Sequence, residues 1–522
     1  MKPPVPPPAK APGLRQTMSG LHIWAGLLAG WLLYAMFLTG TVSYFRDELS
    51  QWMRPEVPAQ RHALPAADVA PRIVATLSAL APHSPQWSIA LPDARNNAAS
   101  AYWRKPGGKG FDDALFDPAT GGRLEVRDTT GGDFFYRFHF NLHYMPPIWG
   151  RWIAGLAAMF MLVAIVSGVI THKKIFTDFF TFRWGKGQRS WLDAHTALSV
   201  FGLPFHFMIT YSGLVTLMVM FMPWGMNTAL PTPPQRATVT GEMRFFLPPG
   251  KPAGQAAPLH PVAPLVQAAE ARWGVGEVGR VQISLPGDAN ARIALVRADS
   301  SPRANPQYLL FDGVSGALLR AKDASAPAAA TQGVLYGLHL GRYADTAMRW
   351  LYFLVSLAGT AMVGTGLVLW TVKRRARLPD PERPHFGFRL VERLNIASIA
   401  GLSIAMAAFL WANRLPPPHM AQRGEWEIHG FFIAWALALA YALARPPKRA
   451  WVELLWLAAA LLALLPVFNL LATGRGLPAS IATGDWVFAG ADLLLLALAA
   501  LHAALAVRTA RHQPRPMAEA AA

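Results

Sequence analysis

Eight stretches of this chain are long and apolar enough to cross a lipid bilayer, and this limits its fold more than any motif does. They lie near Ile23–Tyr44, Trp152–Ile170, Leu198–Met222, Met348–Trp370, Ile396–Trp411, Ile428–Leu443, Trp451–Leu471 and Trp486–Val507. Each has roughly the ~20 residues of helix that cover about 30 Å of hydrocarbon, although the fifth and sixth are short or carry polar flanks. At 53 % hydrophobic residues, the 522-residue chain is too apolar for a soluble protein of its size. The expected class is a polytopic α-helical membrane protein with about eight transmembrane helices, in contact with lipid. The first stretch is longer than a signal-peptide core and runs into SYFRDELSQW, not a small-residue cleavage site, so it reads as a retained helix.

The net charge of +18 is sorted by position along the chain. One loop holds Lys173, Lys174, Arg183, Lys186 and Arg189; a second holds Lys373, Arg374, Arg375 and Arg377; a third holds Arg445, Lys448 and Arg449. The tails add Lys2, Lys10 and Arg15, and Arg508, Arg511 and Arg515. Eight crossings put all five basic segments on one side, which is the positive-inside pattern of a plasma-membrane protein with both termini cytoplasmic. The charge is therefore topological and calls for no nucleic acid. The absence of cysteine excludes disulfides and thiolate-held metals or iron–sulfur clusters. Trp149, Trp152, Trp184, Trp191 and Trp224 read as an interfacial aromatic belt.

The implied division is a tail at 1–20 and core spans at 21–45, 148–172, 191–222 and 347–372. Basic loops follow at 173–190 and 373–390, then a bundle of about four helices at 391–507 and a tail at 508–522. Two polar, Pro- and Gly-rich segments, 46–147 and 223–346, fall on the opposite, periplasmic side. Each has an amphipathic stretch, two strand-like runs and a turn-bearing strand, DALFDPATGGRL in one and YLLFDGVSGALL in the other. The shared LFD-x-x-[TS]-G element, with Gly121 and Gly316 at the turn, reads as an internal repeat of two small α+β domains. Neither carries a serine nucleophile elbow, a zinc motif or a phosphate loop.

Histidines gather at the first four spans. His22 opens the first, His172 closes the second, and His195 and His206 lie in the third. His143 precedes the second span and His339 the fourth; His139, one helical turn from His143, is an equal candidate at that place. On an ideal helix His195 and His206 share a face about 16 Å apart, although Pro204 loosens that angle. Imidazoles in a span are costly unless they face a bundle interior and find partners, and imidazole is an axial ligand for haem iron. Charge topology sorts His22, His172 and His195 into an inner layer and His143, His206 and His339 into an outer one. Two stacked haems are the expectation; interfacial hydrogen bonding is the plainer alternative for any one of these histidines.

The pieces LHIWAGLLAGWLLYAMFLTG, GRWIAGLAAMFMLVAIVSGVITHKK, RSWLDAHTALSVFGLPFHFMITYSG and GLHLGRYADTAMRWLYFLVSLAGTAMVGTG resemble the PepSY-associated transmembrane family of iron-regulated membrane proteins. That family includes bacterial siderophore-iron reductases. The likeness covers about 20–375, and a [TS]-G pair recurs in each helix: Thr39-Gly40, Ser167-Gly168, Ser212-Gly213 and Thr365-Gly366. The resemblance implies PepSY-like outer domains and haem b, two groups, held by His22, His143, His172, His195, His206 and His339. It also implies electron transfer outward to a periplasmic ferric siderophore, in iron acquisition. With no GxGxxG fingerprint after a strand, the donor would be a quinol or a separate reductase. Two other classes fit the same chain: a non-enzymatic PepSY membrane protein that binds a partner, and a transport accessory permease.

Overall fold

The computed structural model describes residues 13–59, 64–107, 109–172 and 174–513; Lys2, Lys10, Lys173 and Arg515 lie outside the described residues. The apolar stretches all fold as helices. The core spans are α1 (Leu14–Ser43), followed by the short α2 (Arg46–Trp52); α5 (Pro147–Thr171); and α10 (Thr346–Arg375). The third is broken into α6 (Gln188–Phe201) and α7 (Leu203–Thr216), bent by 67°. Pro204 stands in the first turn of α7, where proline's missing N–H costs no helical bond. Among the helices that carry no span are α4 (Asp133–Asn141) and α9 (Pro327–Leu340). The last four are α11 (Phe386–Arg414), α12 (Arg423–Ala444), α13 (Pro447–Thr473) and α14 (Trp486–Arg511). Among the described residues, seven helices are long and apolar enough to cross a membrane, and the bent pair brings the number to eight.

The two polar segments do not stay apart as two domains. Their strands, β1 (Gln86–Ala90), β2 (Ala99–Arg104) and β3 (Phe111–Phe116), then β4 (Val278–Ser284), β5 (Arg292–Arg297), β6 (Tyr308–Asp312) and β7 (Leu318–Lys322), form one antiparallel sheet. Its order is β3-β2-β1-β4-β5-β6-β7, and the join is β1 against β4, with Trp87 opposite Ile283 and Ile89 opposite Val281. The amphipathic stretches fold as α3 (Ala66–Leu80) and α8 (Val262–Trp273), and both contribute to one core. Ile73, Leu77, Ile89, Val266, Val281 and Ile283 in it are fully enclosed. Pairing β1 with β4 satisfies backbone groups that would otherwise leave one open edge on each half.

The repeat read from the sequence takes the same turn in both halves. Gly121 N–H donates to the Asp117 carbonyl at 2.7 Å, and Gly316 N–H donates to that of Asp312 at 3.0 Å. Both glycines have left-handed φ, +74° and +73°, a region costly for residues with a Cβ.

The C-terminal helices pack against the end of the core that carries α4. Phe134 and Phe135 of α4 each lie 5.0 Å, ring centre to ring centre, from Phe409 of α11, and Phe138 lies 5.7 Å from Phe431 of α12. The buried Arg414 guanidinium sits 3.9 Å over the Trp52 ring.

Candidate paired-histidine sites

Two spans and the two short helices α4 and α9 bring four imidazoles together as two facing pairs. In one, His22 of α1 faces His195 of α6, with ring centres 6.1 Å apart. In the other, His139 of α4 faces His339 of α9 at 6.2 Å. The first pair lies at the basic-loop end of α1. The second is tied to Met36, 14 residues further along α1, a rise of about 21 Å. The pairs therefore stand at two depths of the core.

All four rings are held in the same way. Nδ1 lies 2.8 Å from the Ala164 carbonyl in His22, 2.9 Å from Met362 in His195, 2.6 Å from Met36 in His139 and 3.0 Å from Ile209 in His339. A carbonyl only accepts, so each Nδ1 carries the proton and donates, and Nε2 is left with its lone pair. Burial, and then the neighbouring His139, push His339 down to about 4; burial lowers His139 too. Both shifts favour the neutral ring, whose unprotonated nitrogen can act as a ligand.

A metal–imidazole bond of about 2.0 Å, with the ring centre about 1.2 Å behind the nitrogen, would put two rings about 6.3 Å apart if they approached one metal from opposite sides. Both pairs match that spacing. No group of three or more His, Cys, Asp or Glu side chains among the described residues is placed to hold a bare ion. Two imidazoles alone suit a metal that brings its own equatorial donors, as haem iron does.

The second pair also opens on a cavity of about 370 Å³, lined by His139 and His339. Leu33, Met36, Phe37, Ala154 and Met161 make its wall apolar, and Arg46, Arg95, Arg151, Arg244 and Arg342 line it as well. Acidic partners already engage some of these cations: Arg95 lies 2.7 Å from Glu48, and Arg342 lies 3.2 Å from Asp299. Arg244 has no such ion pair among the described residues. An apolar wall with guanidinium groups suits a flat apolar molecule bearing carboxylates, as haem is, and the volume falls within the usual ligand range of about 300–1,000 Å³.

The other candidates read from the sequence stand apart from these pairs. His143 packs on Tyr144 and Phe432 at 4.4 and 5.6 Å, away from His339. His172 ends α5, near enough to His195 to interact with it electrostatically. His206 is buried on α7, 6.2 Å from the Phe37 ring, with Nε2 3.4 Å from the Val355 carbonyl and Nδ1 without a hydrogen-bond partner among the described residues. His139, left level with His143 by the sequence, is the residue that faces His339.

A family model described as the PepSY-associated TM region matches residues 19–373, which take in both pairs and end with α10. A Pseudomonas aeruginosa protein, described as uncharacterized, is 29 % identical over 325 residues, covering 57 % of this chain and 76 % of its own length.

Proposed function

Because the chain belongs to the PepSY-associated transmembrane family, we propose that it is a haem-binding membrane oxidoreductase that passes electrons across a bacterial inner membrane. The observation that carries this reading is the two imidazole pairs, whose ring centres lie 6.1 and 6.2 Å apart, a spacing at which both rings of a pair would reach one haem iron. His22 and His195 would hold the inner haem, and His139 and His339 the outer. Bound there, haem supplies one-electron oxidation and reduction.

The chain's own residues supply the rest. The backbone carbonyls of Ala164, Met362, Met36 and Ile209 fix each imidazole's proton on Nδ1. The arginines of the outer cavity would orient carboxylates there, and its apolar wall would pack against a flat ring system. On the positive-inside rule the basic loops are cytoplasmic, both termini with them, and the sheet is periplasmic. The acceptor is a periplasmic ferric chelate of the siderophore type. Hard oxygen chelators grip iron(III) better than the softer iron(II), so its reduction would release the metal. A quinol or a separate reductase supplies the electrons.

Purified protein from haem-replete cells should be red, with two haem equivalents and a low-spin spectrum. His195→Ala should remove the inner equivalent and His339→Ala the outer. The His339→Ala protein should lose ferric-chelate reduction while its remaining haem is still reduced by the donor. A colourless wild-type preparation would sink this reading.

A further inference from the structure

The four [TS]-G pairs are unexplained by their own helices, yet each lies against one of the four facing imidazoles. A Cβ added at Gly40 would stand 2.8 Å from Cε1 of His139; at Gly213, 2.8 Å from Cε1 of His339. At Gly168 it would stand 3.1 Å from Cε1 of His22, and at Gly366, 3.1 Å from Cε1 of His195. The carbonyl that accepts each Nδ1–H stands four residues earlier in every case: Met36, Ile209, Ala164 and Met362.

The spacing has a physical reason. The carbonyl of residue i already accepts the helical N–H of i+4, and its second lone pair is open from the side. Side chains tilt toward the helix N-terminus, so the residue at i+4 ordinarily covers that approach. Glycine at i+4 uncovers it. The hydroxyl at i+3 donates back along its own helix. Thr365 donates to the Met362 carbonyl at 2.9 Å, whereas Ser167, Ser212 and Thr39 donate chiefly one residue earlier, to Val163, Met208 and Ala35 at 2.6, 2.6 and 2.7 Å, and stand 3.2, 3.3 and 3.4 Å from the carbonyls of Ala164, Ile209 and Met36.

We infer that these four [TS]-G pairs are imidazole docks, positioning elements that set the tautomer and orientation of His139, His22, His339 and His195 from a neighbouring helix. This rests on the haem reading for what Nε2 binds, but the docks themselves are protein–protein geometry. Every dock joins two helices: α1 to α5 and α6 to α10 at the inner pair, α4 to α1 and α9 to α7 at the outer. Such an outer hydrogen bond fixes which nitrogen is free for a metal and raises the ring's basicity.

The test compares full-length wild type with Gly40→Ala, Gly213→Ala, Gly168→Ala and Gly366→Ala. Gly20→Ala and Gly26→Ala, whose Cβ would meet nothing within 4 Å, serve as controls. The two outer variants, with the closer overlaps, should fall from two haem equivalents to one and keep the inner spectrum. The two inner variants should change only the inner haem's low-spin signal. A misfolded protein would lose both haems and both signals, so the surviving site reports the fold. Thr365→Val, which frees the Met362 carbonyl for His195, should lower the midpoint potential of the inner haem alone, an effect packing would not produce. Two haems in wild type with all five variants unchanged would overturn the docks and leave the haem reading standing. If wild type carries no haem, that reading fails, and selective ¹⁵N-histidine spectra decide the docks. Neutral Nδ1–H imidazoles lost from the glycine variants would support them; identical spectra would reject them.

Discussion

At the scale of single residues, one costly placement outside the histidines is a buried ion pair. Arg423 and Glu427, both fully enclosed, meet at 3.1 Å on α12. Glu427 also accepts from Thr129 Oγ1 at 2.6 Å and Asn413 Nδ2 at 2.7 Å, so its oxygens are well supplied with donors. Removing one member of such a pair strands the other charge, at about 3–5 kcal/mol. Glu427→Ala should lower the thermal unfolding midpoint of the detergent-solubilised protein sharply, and Glu427→Gln less so. Equal midpoints for Glu427→Ala and wild type would refute the placement. The sequence could not choose His139 over His143 because the choice depends on where one short helix stops. The chain leaves α4 after Asn141, and Leu142 and Tyr144 take positive φ of 56° and 54°. That turn directs His143 away from the pair, and the local pattern of FHFNLHYM does not encode it.

Elements show a different division between what was legible and what was not. Spans were readable because length and apolarity alone select them in lipid. The repeated LFD-x-x-[TS]-G turns were readable because a left-handed residue calls for glycine. Replacing these glycines should have unequal effects. A Cβ at Gly121 would lie 2.9 Å from the Arg72 backbone oxygen, whereas one at Gly316 meets the movable ring of His260. Gly121→Ala should therefore cost more than the ~1–2 kcal/mol of left-handed backbone strain alone, and Gly316→Ala close to that figure. Chemical denaturation followed by the fluorescence of Trp87 and Trp103 would rank the two, and the reverse order would contradict the geometry. The [TS]-G pairs were visible as a pattern, but their partners sit on other helices. No local reading could show what they hold.

Across the whole molecule, the last four helices lie beyond the matched 19–373 region yet brace part of it. Phe409 and Phe431 pack on α4, the helix that carries His139. A chain cut after Leu378 should keep the inner haem, whose ligands and docks lie on α1, α5, α6 and α10, and should lose the outer one. Haem counting on the truncated protein checks this, and retention of both equivalents would show that α4 stands without its brace. The joining of β1 to β4 was illegible for a related reason: the partners are nearly 200 residues apart, and each half alone satisfies its own pattern of alternation.

That join has a mechanical consequence. β1 hangs between the first and second spans, and β4 between the third and fourth. The hydrogen-bonded seam from Gln86 to Ala90 therefore works as a cross-brace, tying the two halves of the helical frame together through the sheet. A load applied to either end of the sheet, by a docking partner or a pulled tether, is carried in shear along this seam into all four legs. The frame should yield as one piece at the seam, and neither half should hinge open alone.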